Sequence, residues 1–117
     1  MELDTLFKAL ADTTRLRCLM LLMEFKELCV CELTEPLSLA QPKVSRHLAA
    51  LRASNLVVSR KEGLWVHYRV NEELPGWVLE VMQASFQGCR LTQPFVEDRQ
   101  RLLAGRGESG QCVSKCC

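Results

Sequence analysis

The first third of the chain carries apolar residues at helical spacing, separated by polar residues that suit helix starts. An amphipathic first helix is indicated by Leu3, Leu6, Phe7 and Leu10. Asp12 or Thr13 can cap the N-terminus of a second apolar-periodic helix that ends near residue 24. A short third helix is expected over residues 32–37, where Pro36 limits its length.

The middle of the chain combines one helical pattern with two short alternating runs. Pro42 suits the first position of a helix over residues 41–54, because the N–H that it lacks would have no helical partner there. Two strands are expected over residues 56–60 and 64–70, joined around Gly63, which can adopt a positive φ. The apolar stripe of the helix consists of Val44, Leu48 and Leu51, with Ala50 as a candidate fourth member.

Beyond Pro75 apolar residues again repeat at helical spacing, and a further helix is expected over residues 95–103. From Gly105 onward the chain is rich in Gly, Ser, Arg and Cys, which cannot build a core. We therefore expect one folded domain over residues 1–104 and a flexible, cysteine-containing tail over residues 105–117.

Length and composition narrow the class of protein. The 117 residues suit one domain, and no apolar run is long enough to span a bilayer. Seven cysteines are an odd number, and no export signal is visible, so free thiols or ligands are expected rather than a disulfide framework. These features predict a cytoplasmic protein with no membrane partner.

The charge is unevenly distributed along the chain. Residues 1–39 carry a net charge of −3, residues 40–70 of +5, and residues 71–117 of −1. The basic block coincides with the predicted helix and hairpin of the middle segment. This order of elements predicts a mainly α fold with a β-hairpin, which is a winged helix-turn-helix. In such a fold the helix over residues 41–54 would enter the DNA major groove.

Side chains suited to DNA follow from that fold. Base edges or phosphates would be contacted by Gln41, Lys43, Ser45, Arg46 and His47 of the helix. Arg60 and Lys61 at the hairpin tip would bind phosphates or enter the minor groove. From the charge pattern alone, a merely solvated helix face remains the alternative.

Four ordered segments, at residues 10–17, 27–33, 41–48 and 63–69, resemble the signatures of the ArsR/SmtB family of metalloregulators, and most closely its arsenite-responsive branch. The resemblance implies a homodimeric repressor, dimerising through its N- and C-terminal helices. Such a repressor binds a palindromic operator and leaves it when a thiophilic ion binds. The inducer site of the family carries over to Cys29 and Cys31.

The resemblance has one departure at the inducer site. The third cysteine of the arsenite-sensing pattern falls at Thr34, so the third ligand is undetermined. The zinc-sensing branch uses histidines on its last long helix, and residues 75–103 contain none. The cadmium/lead branch adds cysteines near the N-terminus, and none precedes Cys18.

The Cys29-Val30-Cys31 sequence indicates an ion site by its chemistry as well as by the family resemblance. Soft thiolates select arsenite, antimonite, cadmium or copper(I), and the flanking Glu27 and Glu32 make burial of the pair unexpected. On a helix, residues i and i+2 point about 200° apart, so two helical cysteines could share an ion only after the helix unwinds or tilts. We expect arsenite or antimonite as inducer and no permanent cofactor.

The sequence leaves three alternative functions open. A cadmium/lead-responsive or thiol-oxidation-sensing repressor and a small thiol-redox enzyme remain alternatives, but no catalytic motif is present and we expect no enzyme.

Cys18 is expected in the core, and Cys89 in the core or an interface. The tail thiols could complete the ion site, capture ions nonspecifically or have no role; they are Cys112, Cys116 and Cys117.

Overall fold

The computed structural model describes residues 1–105 of the chain, and within them it forms six helices and three strands. The helices are α1 (Leu3–Ala11), α2 (Thr13–Phe25), α3 (Val30–Leu37), α4 (Gln41–Ala53), α5 (Gly76–Cys89) and α6 (Phe95–Gly105). The strands are β1 (Glu27–Cys29), β2 (Val57–Glu62) and β3 (Trp65–Val70). The predicted winged helix-turn-helix is confirmed. The predicted tail lies outside the described residues, apart from Gly105, which ends α6.

Local signals explain where several helices begin. The Asp12 carboxylate accepts a backbone N–H three residues further on at 3.0 Å and caps α2, as predicted. Pro42 is the second residue of α4 rather than the first, a position whose N–H also lacks a helical partner. The third helix begins at Val30, two residues earlier than expected, because Glu32 accepts the backbone N–H of Cys29 and stabilises an earlier first turn.

The wing is a three-stranded antiparallel sheet with the strand order β1-β3-β2. The predicted hairpin is present, but β2 continues to Glu62, and Gly63 turns the chain with a φ of +63°. The third strand, β1, was not predicted. Its pairing with β3 brings Cys29 opposite His67. The wing sheet is therefore joined to the segment that contains the cysteine pair.

The core is centred on α2, in which residues 18–22 are all buried. The predicted stripe of α4 is buried against it, with Val44 and Leu48 at 0% exposure and Leu51 at 1%. Burial of this stripe fixes the rotation of α4 about its axis. The opposite face of α4 is therefore held toward solvent.

Charged side chains fasten α6 to the rest of the domain. The oxygens of Asp98, which is 2% exposed, accept hydrogen bonds from Nε and Nη2 of Arg17 in α2 at 2.8 and 2.7 Å. This contact raises the pKa of Arg17 above its ordinary value. Arg101 of α6 donates to Oγ of Ser38, directly after α3, at 2.7 Å. The C-terminal helix thus braces α3, whose first turn contains Cys31.

Several large apolar side chains remain exposed on the first and fifth helices. Leu3 and Phe7 of α1 are 63% and 51% exposed, and Trp77 of α5 is 38% exposed. Dimerisation through these helices stays a prediction. Within residues 1–105, no helix has both the length and the apolar character needed to cross a membrane.

Candidate thiol site and nucleic-acid interface

The sulfur atoms of Cys29 and Cys31 lie 2.8 Å apart. Cys29 ends β1 in extended conformation, with φ −89° and ψ 166°, and Cys31 is the second residue of α3. The predicted helical separation of about 200° does not apply, because only one of the two cysteines is helical. The pair therefore meets without unwinding α3, and the expectation that unwinding must come first loses its basis.

The backbone around the pair is held by a reciprocal cap. Oε1 of Glu32 accepts the backbone N–H of Cys29 at 3.1 Å, and the Cys29 side chain accepts the backbone N–H of Glu32. The Cys29 sulfur thus lies at the N-terminus of α3.

The expected exposure of the cysteine pair is wrong: Cys29 is 1% exposed and Cys31 is 3% exposed. The acidic neighbours do not carry the sulfurs into solvent, because each carboxylate has another partner. Glu27 binds Arg60, and Glu32 caps Cys29. Any ion that bound this pair would therefore need the surrounding structure to open locally.

The pair suits a thiophilic ion, but the described residues offer no complete site. Sulfur–metal bonds of about 2.3 Å put two ligands about 3.8 Å apart on a tetrahedral ion, so the sulfurs would have to separate by about 1 Å. Thr34, at the position of the missing cysteine, donates its hydroxyl to the carbonyl of Cys31 at 3.0 Å. In the part of the chain that the structure describes, no group of three His, Cys, Asp or Glu side chains could hold a metal.

The remaining thiols differ in their surroundings. Cys18 is fully buried, as predicted, and burial raises its pKa to about 12, so it stays protonated and unreactive. Cys89 is partly buried, and burial raises its pKa as well. The three tail cysteines lie outside the described residues.

Of the sequence-predicted residues of α4, Arg46 projects opposite the buried stripe and Lys43 and Ser45 project about 100° to either side of it. Gln41 and His47 lie closer to the buried stripe. Gln41, Lys43 and Arg46 are exposed, and Ser45 and His47 are partly exposed. Their positions, spread over two turns, would allow several of them to reach one DNA groove. This surface is a candidate for reading bases.

His47 differs from its neighbours in α4 because one of its ring nitrogens is buried. Its Nδ1 is buried without a hydrogen-bond partner among the described residues. Burial lowers the pKa of His47 below its ordinary value, although the nearby Asp12 carboxylate opposes this shift. His47 is therefore better suited to a neutral hydrogen bond than to an ionic contact with phosphate.

The two predicted wing residues have different surroundings. Lys61 is exposed and has no ion pair within residues 1–105. Arg60 is also exposed, but Glu27 and Glu62 bind its guanidinium group and raise its pKa above the ordinary value. Sequence reasoning missed the Glu27–Arg60 contact, since it depends on β1.

Comparisons with known proteins fit this arrangement. A model of the arsR family of bacterial regulatory proteins matches residues 12–59. The arsenical resistance operon repressor of Escherichia coli (strain K12) is 45% identical over 111 residues, which cover 95% of this chain and 92% of that protein. The arsenic resistance transcriptional regulator ArsR2 of Pseudomonas putida is 51% identical over 81 residues, covering 69% and 70% of the two chains.

Solved structures agree with the sequence relatives. The transcriptional regulator HlyU from Vibrio vulnificus is 36% identical with a TM-score of 0.63, covering 74% of this chain and 85% of that one. The AntR antimony-specific transcriptional repressor is 30% identical with a TM-score of 0.61, covering 72% and 73%. Fold and relatives together define a DNA-binding transcriptional regulator. The chain belongs to the arsR family, and it is a transcriptional repressor of the ArsR type.

Proposed function

We propose that the chain is a homodimeric repressor that releases its operator when trivalent arsenic or antimony binds the thiolates of Cys29 and Cys31. The 2.8 Å separation of the two sulfurs is the observation that carries this proposal. Thiolates select thiophilic ions over ions that prefer oxygen ligands. The names of the arsenical resistance repressor and of the antimony-specific AntR support the same inducer class.

Operator DNA would be bound by α4 and the wing. In this proposal Gln41 and Arg46 read base edges, and Lys43, Ser45 and His47 contact bases or the backbone. Arg60 and Lys61 of the wing would contact phosphates or the minor groove. Two copies related by a two-fold axis would present their α4 helices to half-sites about one DNA turn apart.

The dimer would form through α1 and α5. Leu3, Phe7 and Trp77 are large apolar side chains with substantial exposure, and a small domain has few other places to bury them. A repressor of this kind would act on DNA in the cytoplasm, with no membrane partner.

The thiol pair is placed to influence both DNA-binding elements. Cys29 belongs to β1 and so to the wing sheet, whereas Cys31 belongs to α3, which packs against α4. A change in the sulfur separation would therefore alter the position of the wing relative to α4. The equilibrium shifts away from the operator-bound form only as far as the ion binds the released form more tightly.

The same sulfur geometry also favours a second candidate, a repressor that senses oxidation of the two thiols. A repressor that responds to cadmium or lead is another candidate, because thiolates bind thiophilic ions in preference to ions that prefer oxygen ligands. A thiol-redox enzyme is the alternative from another class, and it would turn over a dithiol or disulfide substrate without DNA.

A titration of the operator complex separates these candidates. Fluorescence anisotropy of labelled operator is followed while arsenite, antimonite, cadmium, lead, zinc or peroxide is added to the reduced protein. We expect release at the lowest concentrations with arsenite and antimonite. Release by peroxide alone would establish the oxidation sensor, and release by cadmium or lead alone would establish the other ion class. Operator binding that none of them affects would contradict inducer sensing.

A further inference from the structure

Carboxylates bind every nitrogen of the Arg60 guanidinium group. Its Nε lies 3.0 Å from both oxygens of Glu27, and its Nη2 lies 2.5 Å from Oε1 of Glu27. Its Nη1 donates to Oε2 of Glu62 at 2.8 Å. Arginine binds phosphate with the same two-pronged edge. A DNA phosphate can therefore use that edge of Arg60 only by displacing Glu27.

The neighbouring cation of the wing provides a contrast. Lys61 is exposed, and the described part of the chain supplies no carboxylate to pair with it. One wing cation is thus available to phosphate in the unbound protein, and the next is occupied.

The occupied cation is connected to the thiol pair through the sheet. Glu27 and Cys29 are two residues apart in β1, so their side chains leave the same face of the strand. In the register, Cys29 lies opposite His67, and His67 lies opposite Arg60. Two strand spacings, about 10 Å, separate the backbones at the two ends of this row.

We propose that Glu27 is a positioning residue that competes with DNA phosphate for Arg60 and thereby sets the affinity of the wing for DNA. The side chains of Arg60 and Glu27 are 50% and 29% exposed, so water can solvate both partners during the exchange. The inference rests on the proposed binding of operator DNA. It adds that the strand ending in Cys29 carries the competitor, so movement of β1 changes how available Arg60 is.

The Glu27→Gln variant tests this competition, because it keeps the shape of the side chain and removes its charge. Arg60 then gains a phosphate, and each added contact steepens the slope of log K against log salt by about 0.9. A dimer should show a change of about 1.8. At 0.1 M salt, the affinity for operator and for unrelated DNA should both rise about eightfold per added contact. This factor takes 1 M salt as the reference, because a slope of 0.9 over the tenfold change to 0.1 M gives about eight.

Two further variants make the result specific. Glu73→Gln changes the net charge equally at an exposed residue without an ion pair in the described residues. It should leave the slope within about 0.3 of wild type, since it frees no cation. Adding Arg60→Gln to Glu27→Gln should abolish the gain in slope. Circular dichroism at each salt concentration verifies that all variants are folded.

Specific outcomes would overturn the inference. If Glu27→Gln weakens binding, Glu27 supports a DNA contact of Arg60 instead of competing with it. If its slope equals that of Glu73→Gln, the ion pair does not limit the wing. Both results leave the proposed repressor intact. A wild-type protein without salt-dependent operator binding would overturn the proposed function, and this inference with it.

Discussion

Replacing Asp98 by Ala tests how strongly the Arg17–Asp98 pair holds α6 to the domain. Asp98 is 2% exposed and accepts two hydrogen bonds of 2.7 and 2.8 Å. Breaking a buried ion pair by removing one partner costs about 3–5 kcal/mol, because the other charge is left unpaired. The Arg17 side chain keeps 18% exposure and a longer contact of 3.4 Å to the Leu37 carbonyl, so water and that carbonyl compensate in part. We expect a loss of about 2–3 kcal/mol.

Urea unfolding at one fixed protein concentration, followed by circular dichroism, measures this loss. A decrease of that size should lower Tm by about 10–20 °C in a domain of this length. Arg99→Ala is the control, because it removes a more exposed ion pair of 2.7 Å to Glu24 and should cost at most about 1 kcal/mol. If the Asp98→Ala protein is as stable as Arg99→Ala, the buried Arg17–Asp98 pair contributes no more to stability than an exposed ion pair, which contradicts the prediction.

Three further predictions concern the cap, the DNA surface and the tail. Asp12→Ala should cost about 1 kcal/mol of unfolding free energy at pH 7. The backbone N–H of Arg15 lowers the pKa of Asp12 in the folded protein. The difference in unfolding free energy between wild type and Asp12→Ala should therefore be complete above the pKa of Asp12 in the unfolded chain, and it should disappear as pH falls through the pKa in the folded protein. Urea unfolding at a series of pH values measures it. Arg46→Ala should cost about 1–3 kcal/mol of specific binding. Lys61→Ala should weaken binding to all DNA and flatten the salt slope by about 0.9 per subunit, or about 1.8 for a dimer; unchanged anisotropy titrations in both variants would contradict the assigned surface. Truncation after Gly105 should leave arsenite release intact, because ordering another segment onto the site costs conformational entropy; a sharp loss in the operator titration would assign the third ligand to the tail.

The parts of the fold that sequence patterns predicted are those with local causes. The stripe of Val44, Leu48 and Leu51 recurs within one helix, and the Asp12 cap acts three residues along the chain. Such signals lie inside a short window, so periodicity and capping rules detect them. The order of helices and hairpin followed from them.

The parts that were missed depend on partners far away in the chain. Strand β1 is three residues long and becomes a strand only by pairing with β3. Arg17 and Asp98 are 81 residues apart, and Glu27 and Arg60 are 33 apart. No local pattern identifies such pairs, since the residues meet only after the core has formed.

The cysteine pair was selected from the sequence, but its surroundings were not predicted, and its role as an ion site stays a prediction. Spacing and thiol chemistry selected Cys29 and Cys31, and the structure brings their sulfurs together. Their burial was missed because flanking glutamates usually indicate exposure, whereas Glu27 and Glu32 are engaged by the wing and by the α3 cap. The neighbouring carboxylates thus shape the site without exposing it.

The most direct test of the proposed function is arsenite titration of labelled operator complexed with the Cys29→Ser, Cys31→Ser double variant. Serine keeps nearly the same volume and removes the soft ligands, so the variant should bind operator like wild type. Cys89→Ser is the control, because it removes a partly buried thiol outside the pair. We predict that arsenite releases the operator from wild type and from Cys89→Ser and not from the double variant. Release from the double variant at the wild-type arsenite concentration would contradict the assignment of the sensor to Cys29 and Cys31.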